Sequence, residues 1–323
     1  MKKTPAFWYQ EPGWQTSLLS PLSKHYTSIS TKRNAQITPW KASVPVICIG
    51  NFVVGGAGKT PLAQGLAPLL RDAHILSRGY GREKKMALRV DPQKHTYGEV
   101  GDEPLLLAEF APTWVGPDRP TLARLAIQNG AKHLFLDDGF QNPSLHKDLS
   151  LVVVDSHSVF GNEHVFPAGP LREPLEVGLE RADALVLVGR DNPELIQRFS
   201  GRIPITTARV VPNYKDILPL HHHNIVAFAG LARPQKFFNM LDMEGLRVEA
   251  CVPFPDHHPY VPSDLEKLTK LAKRHKATLV TTKKDWVRLP REFRQHIHVI
   301  DISVSLDHDF FQNIFREKGI ITP

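Results

Sequence analysis

Short apolar runs separated by polar, turn-prone stretches make up most of this chain. Val46–Ile49, His74–Ser77, Thr113–Val115, His133–Leu136, Leu151–Val154 and Leu185–Val188 are each three or four residues long and mostly Val, Leu or Ile. Segments with helical spacing lie between several of them: Leu62–Leu70, Pro104–Glu109 and Thr121–Gln128. Fully apolar strands alternating with helices predict an α/β fold with a mainly parallel sheet covered on both faces. A second β-α-β run follows. It comprises Ile225–Ala229, a helix near Pro234–Leu241, Val248–Val252, a helix near Ser263–His275, Leu279–Thr282, Val299–Val304 and a last helix, Phe310–Glu317. Ile205–Val211 and the turn-like Pro212–His223 read as a connection. The expected organisation is an N-terminal segment over 1–43, a first domain over 44–215 and a smaller C-terminal α/β lobe over 216–323.

The N-terminal segment has its own pattern. Ser20-Pro21 predicts a helix start, with proline at the first helical position. Leu18, Leu22, Tyr26 and Ile29 then share one helical face, with Lys24, Thr27, Ser28 and Thr31 elsewhere. Residues 1–43 carry six Lys and Arg against Glu11 alone, a net +5, together with Phe7, Trp8, Tyr9, Trp14 and Trp40. Basic and aromatic residues around an amphipathic helix fit an anchor on an anionic cytoplasmic leaflet, or a helix packed on the domain.

Val54-Gly55-Gly56-Ala57-Gly58-Lys59-Thr60 lies between the first apolar run and the first helix-like segment. In such a strand–turn–helix, glycines let backbone N–H groups face phosphate oxygens, and the helix N-terminus adds partial positive charge. Lys59 would reach the β- and γ-phosphates, and the Thr60 hydroxyl would ligate Mg²⁺. Val53 stands where the strict pattern has its first glycine, so the variant matched is x-G-G-x-G-K-T. The run Leu134–Leu136 ends in Asp137-Asp138-Gly139, as a metal-supporting Walker B strand does. Together these predict a P-loop NTPase-type site for a nucleoside triphosphate at the carboxyl ends of the strands.

Bulk properties narrow the class. At 323 residues, 41% hydrophobic and 23% charged, the chain has room for one large or two ordinary globular domains. No apolar run is long enough to span a bilayer. Cys48 and Cys251 show no ligand spacing or disulfide framework, which fits a reducing cytoplasm, and no secretory signal is recognisable. The overall charge of +7 could attract nucleic acid, yet no binding module accompanies it, and none is expected as a partner.

Further constellations carry candidate chemistry. Val100-Gly101-Asp102-Glu103-Pro104 sets two carboxylates at a loop-to-helix junction, where a kinase can use one to accept a hydroxyl proton. The same residues would also complement a helix dipole. Asp256-His257-His258-Pro259-Tyr260 offers a histidine beside a carboxylate, either a tuned base or a structural turn. Leu76-Ser77-Arg78-Gly79-Tyr80-Gly81-Arg82 joins two arginines to pliable backbone, a pattern for an anionic ligand. Pro167-Ala168-Gly169-Pro170-Leu171-Arg172-Glu173-Pro174 is a rigid turn displaying an Arg–Glu pair. Thr282-Lys283-Lys284-Asp285 is similar to the T-K-x-D of GTPases and is read as a solvated loop.

These motifs, with Gly50-Asn51-Phe52, Asp137–Gln141, Phe166–Pro174, Ala229–Pro234 and Phe254–Tyr260, resemble the tetraacyldisaccharide 4′-kinases in order and over most of the chain. The resemblance implies transfer of the ATP γ-phosphate to the 4′-hydroxyl of the lipid A precursor tetraacyldisaccharide 1-phosphate. It places that activity at the cytoplasmic face of the inner membrane and gives no basis for inferring a protein partner. By motif, Gly55, Gly56, Ala57, Gly58, Lys59 and Thr60 would bind ATP, and Thr60, Asp137, Asp138 and Glu103 would support Mg²⁺. Asp102 would be the base, partnered by His257, with Lys59 completing the catalytic set. Asn51, Arg78, Tyr80, Arg82, Gln141, Arg172 and Glu173 would meet the substrate. Closure of two lobes would bring Asp102 and His257 together over ATP and lipid. The family's N-terminal helix sits on the membrane. Here Gln15, Thr16, Ser17, Ser20, Ser23, Thr27, Ser28, Ser30 and Thr31 make it more polar, implying weak, salt-sensitive attachment.

Two other functions fit the nucleotide motif taken alone. One is a GTP-hydrolysing switch or metallochaperone, with Thr282–Asp285 reading guanine and histidines such as His221-His222-His223 handling metal. Val54 counts against it, since many members of that class carry lysine there. The other is a nucleotide-binding scaffold for a membrane complex.

Overall fold

The apolar runs pair as parallel strands. A computed structural model describes residues 4–56, 58–83 and 86–321. The first lobe contains β1 (Val46–Gly50), β2 (Ala73–Ser77), β3 (Leu88–Arg89), β4 (Thr113–Val115), β5 (His133–Asp137), β6 (Leu149–Asp155), β7 (Ala184–Val188) and β8 (Ile205–Pro212). The second contains β9 (Asn224–Ala229), β10 (Arg247–Pro253), β11 (Thr278–Thr282) and β12 (His298–Ile300), in the parallel order β10-β9-β11-β12. A last strand, β13 (Ile302–Leu306), completes the larger sheet in the order β13-β8-β7-β6-β1-β5-β2-β4-β3. Its interior pairs are parallel, and the two edge strands β3 and β13 run antiparallel.

Alternation along the strands builds a core on each face of the larger sheet. Ile47, Ile49, Phe135, Leu151 and Val153 pack on one side with Leu62 and Leu66 of the helix Lys59–Leu66. Val46, Cys48, Leu134, Leu136 and Val152 pack on the other with Leu122 and Ala126 of the helix Arg119–Gln128. Central β1 therefore delivers the glycine-rich turn to the middle of the sheet's carboxyl edge, between the ends of β5 and β6.

Residues 302–321 depart from the expected C-terminal lobe. β13 pairs with β8, Ile302 opposite Pro212 and Leu306 opposite Ala208. The helix His308–Glu317 then buries Phe311 and Phe315 against the larger lobe's core. A β-α pattern read locally does not say which sheet a strand will join, and the apolar face of this helix forms part of the first lobe's core. Among the described residues the chain thus crosses between lobes twice, side by side, with the Asn213 amide donating to the Asp301 carbonyl at 2.9 Å.

The N-terminal helix runs from Trp14 to Ala35, so it starts six residues before the expected Ser20 and contains Pro21 on its exposed side. Its polarity is reversed relative to a packed helix. Thr16 and Ser23 are buried and Ser20, Thr27 and Ser30 half-buried, whereas Trp14 (71% exposed), Leu18 (67%), Leu22 and Ile29 face outward. Much of the polarity expected to weaken membrane attachment is therefore turned toward the protein. Among the described residues no helix is long and apolar enough to cross a membrane.

Phe311 is fully buried, so Phe311→Ala should destabilise the larger lobe by about 3–5 kcal/mol in denaturant unfolding. A loss below about 1 kcal/mol would mean that this helix contributes little to the core.

Candidate active site

The nucleotide loop is held open by its own side chains. Gly55 (φ 116°) and Gly58 (φ 93°) take conformations that L side chains avoid, and the helix begins at Lys59. Asn51 is fully buried, and its amide donates to the carbonyls of Val53 (2.8 Å) and Gly55 (3.3 Å). The Lys59 ammonium donates to Asn51 Oδ1 at 3.1 Å and lies 3.5 Å from Asp138 Oδ1. Thr60 follows, half-buried in the first helical turn, while Gly56 is exposed on the loop. Ala57, expected in the same cradle, lies outside the described residues.

Two carboxylates at the end of β5 behave differently. Asp137 is buried and accepts a hydrogen bond from the Ser77 hydroxyl at 3.0 Å. Burial, then the neighbouring charges of Glu103 and Asp138, push its pKa up to about 7. Burial also works against ionised Asp138, but Lys59 and Arg172 prevail and hold its pKa below the usual carboxylate range. Arg172 grips Asp138 with two parallel bonds (2.8 and 3.2 Å) and donates from Nε to the Val53 carbonyl at 3.0 Å. Gln141 donates to the Asn51 carbonyl (2.9 Å) and to Glu173 (3.1 Å), which also pairs with Arg181. Asn51, Gln141, Arg172 and Glu173 thus form a frame that ties the nucleotide loop to Asp138.

The second cluster forms where the lobes meet. Gly101, at φ 94°, turns the chain so that Asp102 opens the helix Asp102–Leu107, only 4% exposed. Asp102 Oδ2 lies 2.7 Å from His257 Nδ1 and 3.5 Å from Arg288 Nε, and Oδ1 accepts the Glu103 amide at 2.9 Å. Burial alone would raise its pKa. The His257 hydrogen bond, Lys284 and Arg288 overcome that and bring it down to about 2. Glu103 pairs with Lys284 at 3.1 Å and Glu109 with Lys283 at 3.2 Å. Burial favours neutral Lys284, yet Glu103, Asp102 and Asp256 together raise its pKa. His257 sits at φ 57° and Asp138 at φ 50°, so both candidate residues occupy the sparsely populated left-handed region. Lys284 and Arg288 were not among the expected site residues. The adjacent lysines after a strand were the available signal for Lys284, and Arg288 left none.

Thr282–Asp285 is no solvated loop. The hydroxyl of Thr282 caps a short helix, Lys283–Trp286, and Asp285 is fully buried. Asp285 accepts hydrogen bonds from the Gly230 amide, the Tyr260 hydroxyl, Arg288 and the Thr282 hydroxyl, all within 2.7 Å. Its oxygens are taken up inside its own lobe and do not face a base. Arg78 and Tyr80 are exposed on the loop after β2, and the Tyr80 ring lies 5.9 Å from that of His257. Arg82 turns back on the same loop, donating to the Met86 carbonyl at 2.8 Å.

A family model described as Tetraacyldisaccharide-1-P 4'-kinase matches residues 15–319. The Tetraacyldisaccharide 4'-kinase of Rhodospirillum centenum is 48% identical over 311 residues, covering 94% of this chain and 92% of the relative. This chain belongs to that kinase family. The Gluconobacter oxydans member is 47% identical over 308 residues, covering 94% of each. The crystal structure of LpxK from Aquifex aeolicus in complex with ATP superposes with a TM-score of 0.74 at 29% identity, covering 95% of this chain and 99% of that one. The alternative of a GTP-hydrolysing switch or metallochaperone finds no support. Among the described residues no group of three or more His, Cys, Asp or Glu could by itself hold a metal ion.

The raised pKa of Asp137 has a testable sign. In the folded chain the carboxyl binds a proton up to about pH 7, whereas unfolded it ionises near pH 4. Its contribution to stability therefore falls as pH rises from about 4 to about 7. Asp137→Asn carries no such loss, so the melting temperature of the variant relative to the parent should rise between pH 5 and pH 8. An unchanged difference would show that Asp137 titrates normally.

Proposed function

We propose that this chain transfers the γ-phosphate of ATP to the 4′-hydroxyl of a tetraacyldisaccharide 1-phosphate, a step in lipid A biosynthesis. The observation that carries the proposal is a nucleotide loop whose helix, Lys59–Leu66, contacts the helix opened by Asp102, with the buried Asp102 paired to His257 of the other lobe. Asn51 and Asp138 hold the Lys59 ammonium where the β- and γ-phosphates would take it over.

Mg²⁺ fits the same site. Thr60, Asp137 and Asp138 would hold it, with Glu103 nearby, since a metal shared with phosphates needs only one or two protein carboxylates. The proximity of Glu103, Asp138 and Asp137 leaves negative charge that a divalent ion would relieve. Bound there, it would neutralise charge on the phosphates.

Proton removal belongs to the Asp102–His257 pair. Both Asp102 oxygens already accept hydrogen bonds, and its pKa near 2 makes it a weak acceptor in this state. We assign Asp102 to orienting the imidazole through Nδ1, which leaves His257 Nε2 to take the hydroxyl proton. Tyr80, and the exposed Arg78, would meet the sugar or its 1-phosphate beside that pair. The outward Trp14, Leu18, Leu22 and Ile29, flanked by Lys24, Lys32 and Arg33, would seat the chain on the anionic cytoplasmic leaflet of the inner membrane.

With γ-labelled ATP, Mg²⁺ and detergent-dispersed disaccharide 1-phosphate, label should enter the lipid and be competed by ATP far better than by GTP. Lys59→Ala should lower transfer by about 10²–10³-fold. Label released only as free phosphate, or full activity in Lys59→Ala, would overturn the proposal.

A further inference from the structure

One segment, Glu163–Arg172, touches the N-terminal helix on one side and the nucleotide loop on the other. On the helix side, the Ser23 hydroxyl donates to the Val165 carbonyl at 2.7 Å and accepts the Ala168 amide at 3.1 Å. The Trp8 indole donates to the Pro167 carbonyl at 3.0 Å, and the Phe166 ring lies edge-on against Trp8 and Tyr26, with centroids 6.0 and 5.6 Å apart. The Asn162 amide bridges the Thr16 hydroxyl (3.3 Å) and the Ala168 carbonyl (3.0 Å).

On the loop side, the Val54 amide donates to the Pro170 carbonyl and the Arg172 amide to the Phe52 carbonyl, both at 2.8 Å. The Arg172 side chain continues to the Val53 carbonyl and Asp138. Between the two sides the segment closes on itself, the Phe166 amide donating to Leu171 (2.8 Å) and the Leu171 amide to His164 (3.0 Å). Gly169 leaves no room for adjustment, since a Cβ there would lie 2.1 Å from Asn162 Oδ1 and 2.3 Å from the His164 carbonyl oxygen. Three residues separate Ala168, held by Ser23, from Arg172, held by Asp138. A shift at one end therefore has little slack before it reaches the other.

Ser23 is a buried serine on a helix whose apolar side faces outward. It fills no core, and the two shorter hydrogen bonds of its hydroxyl go to this segment, with a longer one at 3.4 Å to the Leu19 carbonyl of its own helix. We propose that Ser23 is a positioning residue that passes the seating of the N-terminal helix on a lipid surface to the Arg172–Asp138–Lys59 arrangement awaiting ATP. The proposal rests on the kinase and membrane readings above. Seating fixes the helix, the helix fixes Val165–Arg172, and the nucleotide loop is ordered before ATP arrives, which tightens ATP binding.

The test uses the full chain with vesicles of phosphatidylethanolamine and phosphatidylglycerol, reading flotation and equilibrium ATP affinity. The parent should float and gain about five-fold or more in ATP affinity over the vesicle-free protein. Ser23→Ala keeps the outward face, so it should float equally but lose most of that gain, whereas Ser23→Thr retains it. Trp8→Phe removes a neighbouring tie on Pro167 and should reduce the gain in the same direction. A full gain in both Ser23→Ala and Trp8→Phe, no gain in the floated parent, or loss of flotation in Ser23→Ala would each overturn the coupling. Neither readout needs phosphate transfer, so failure of the kinase reading would show separately, in the labelling assay.

Discussion

A carboxylate buried between two lobes sets the terms for the rest of this structure. Removing ionised Asp102 from water is costly unless cationic and hydrogen-bonding partners replace the solvent. Those partners are His257, Arg288 and Lys284, and all three come from the smaller lobe. The ionised carboxylate and the closed arrangement of lobes therefore stabilise each other. Further cross-lobe contacts act in the same direction: Glu103 with Lys284, Glu109 with Lys283, and Asp155 with Lys236 at 2.5 Å. Because the chain crosses between lobes only at two adjacent points among the described residues, near Asn213 and Asp301, the lobes can separate without unpairing either sheet. Opening would expose Asp102 and dismantle the site in one movement.

The nucleotide side follows a complementary logic. Lys59 and Arg172 share Asp138, and Asn51 takes up the remaining reach of Lys59, so the loop is electrostatically satisfied before any phosphate arrives. Asp137 is the exception, with a carboxyl crowded by Glu103 and Asp138. One carboxylate is held charged, and its neighbour has its pKa pushed up by burial and by the charges of Glu103 and Asp138, which is the place where added positive charge would be favourable.

Local signals made much of this legible from sequence. The glycine-rich turn, the Asp137-Asp138 strand end and most apolar strands are each written within a few residues and lie where their pattern put them. Ile205–Val211, read as part of a connection, is instead strand β8, and Val299–Val304 divides between β12 and β13. Asp102 and His257 were legible as motifs, whereas their 2.7 Å contact depends on tertiary packing across 155 positions. What escaped depends on choices that local pattern does not encode. β13 could equally have joined either sheet by its composition, and Asp285 looked solvent-facing because buried networks leave no periodic trace. Periodicity identified the apolar face of the N-terminal helix but not that the opposite, polar face would be the packed one.

The most direct test of this account is a double-mutant cycle on turnover of the disaccharide, comparing Asp102→Asn, His257→Ala and the two together. If the cross-lobe pair acts as one unit, the double variant loses no more than about what the more damaging single variant loses. Losses that multiply would show two groups working independently, and would contradict a site assembled around their contact.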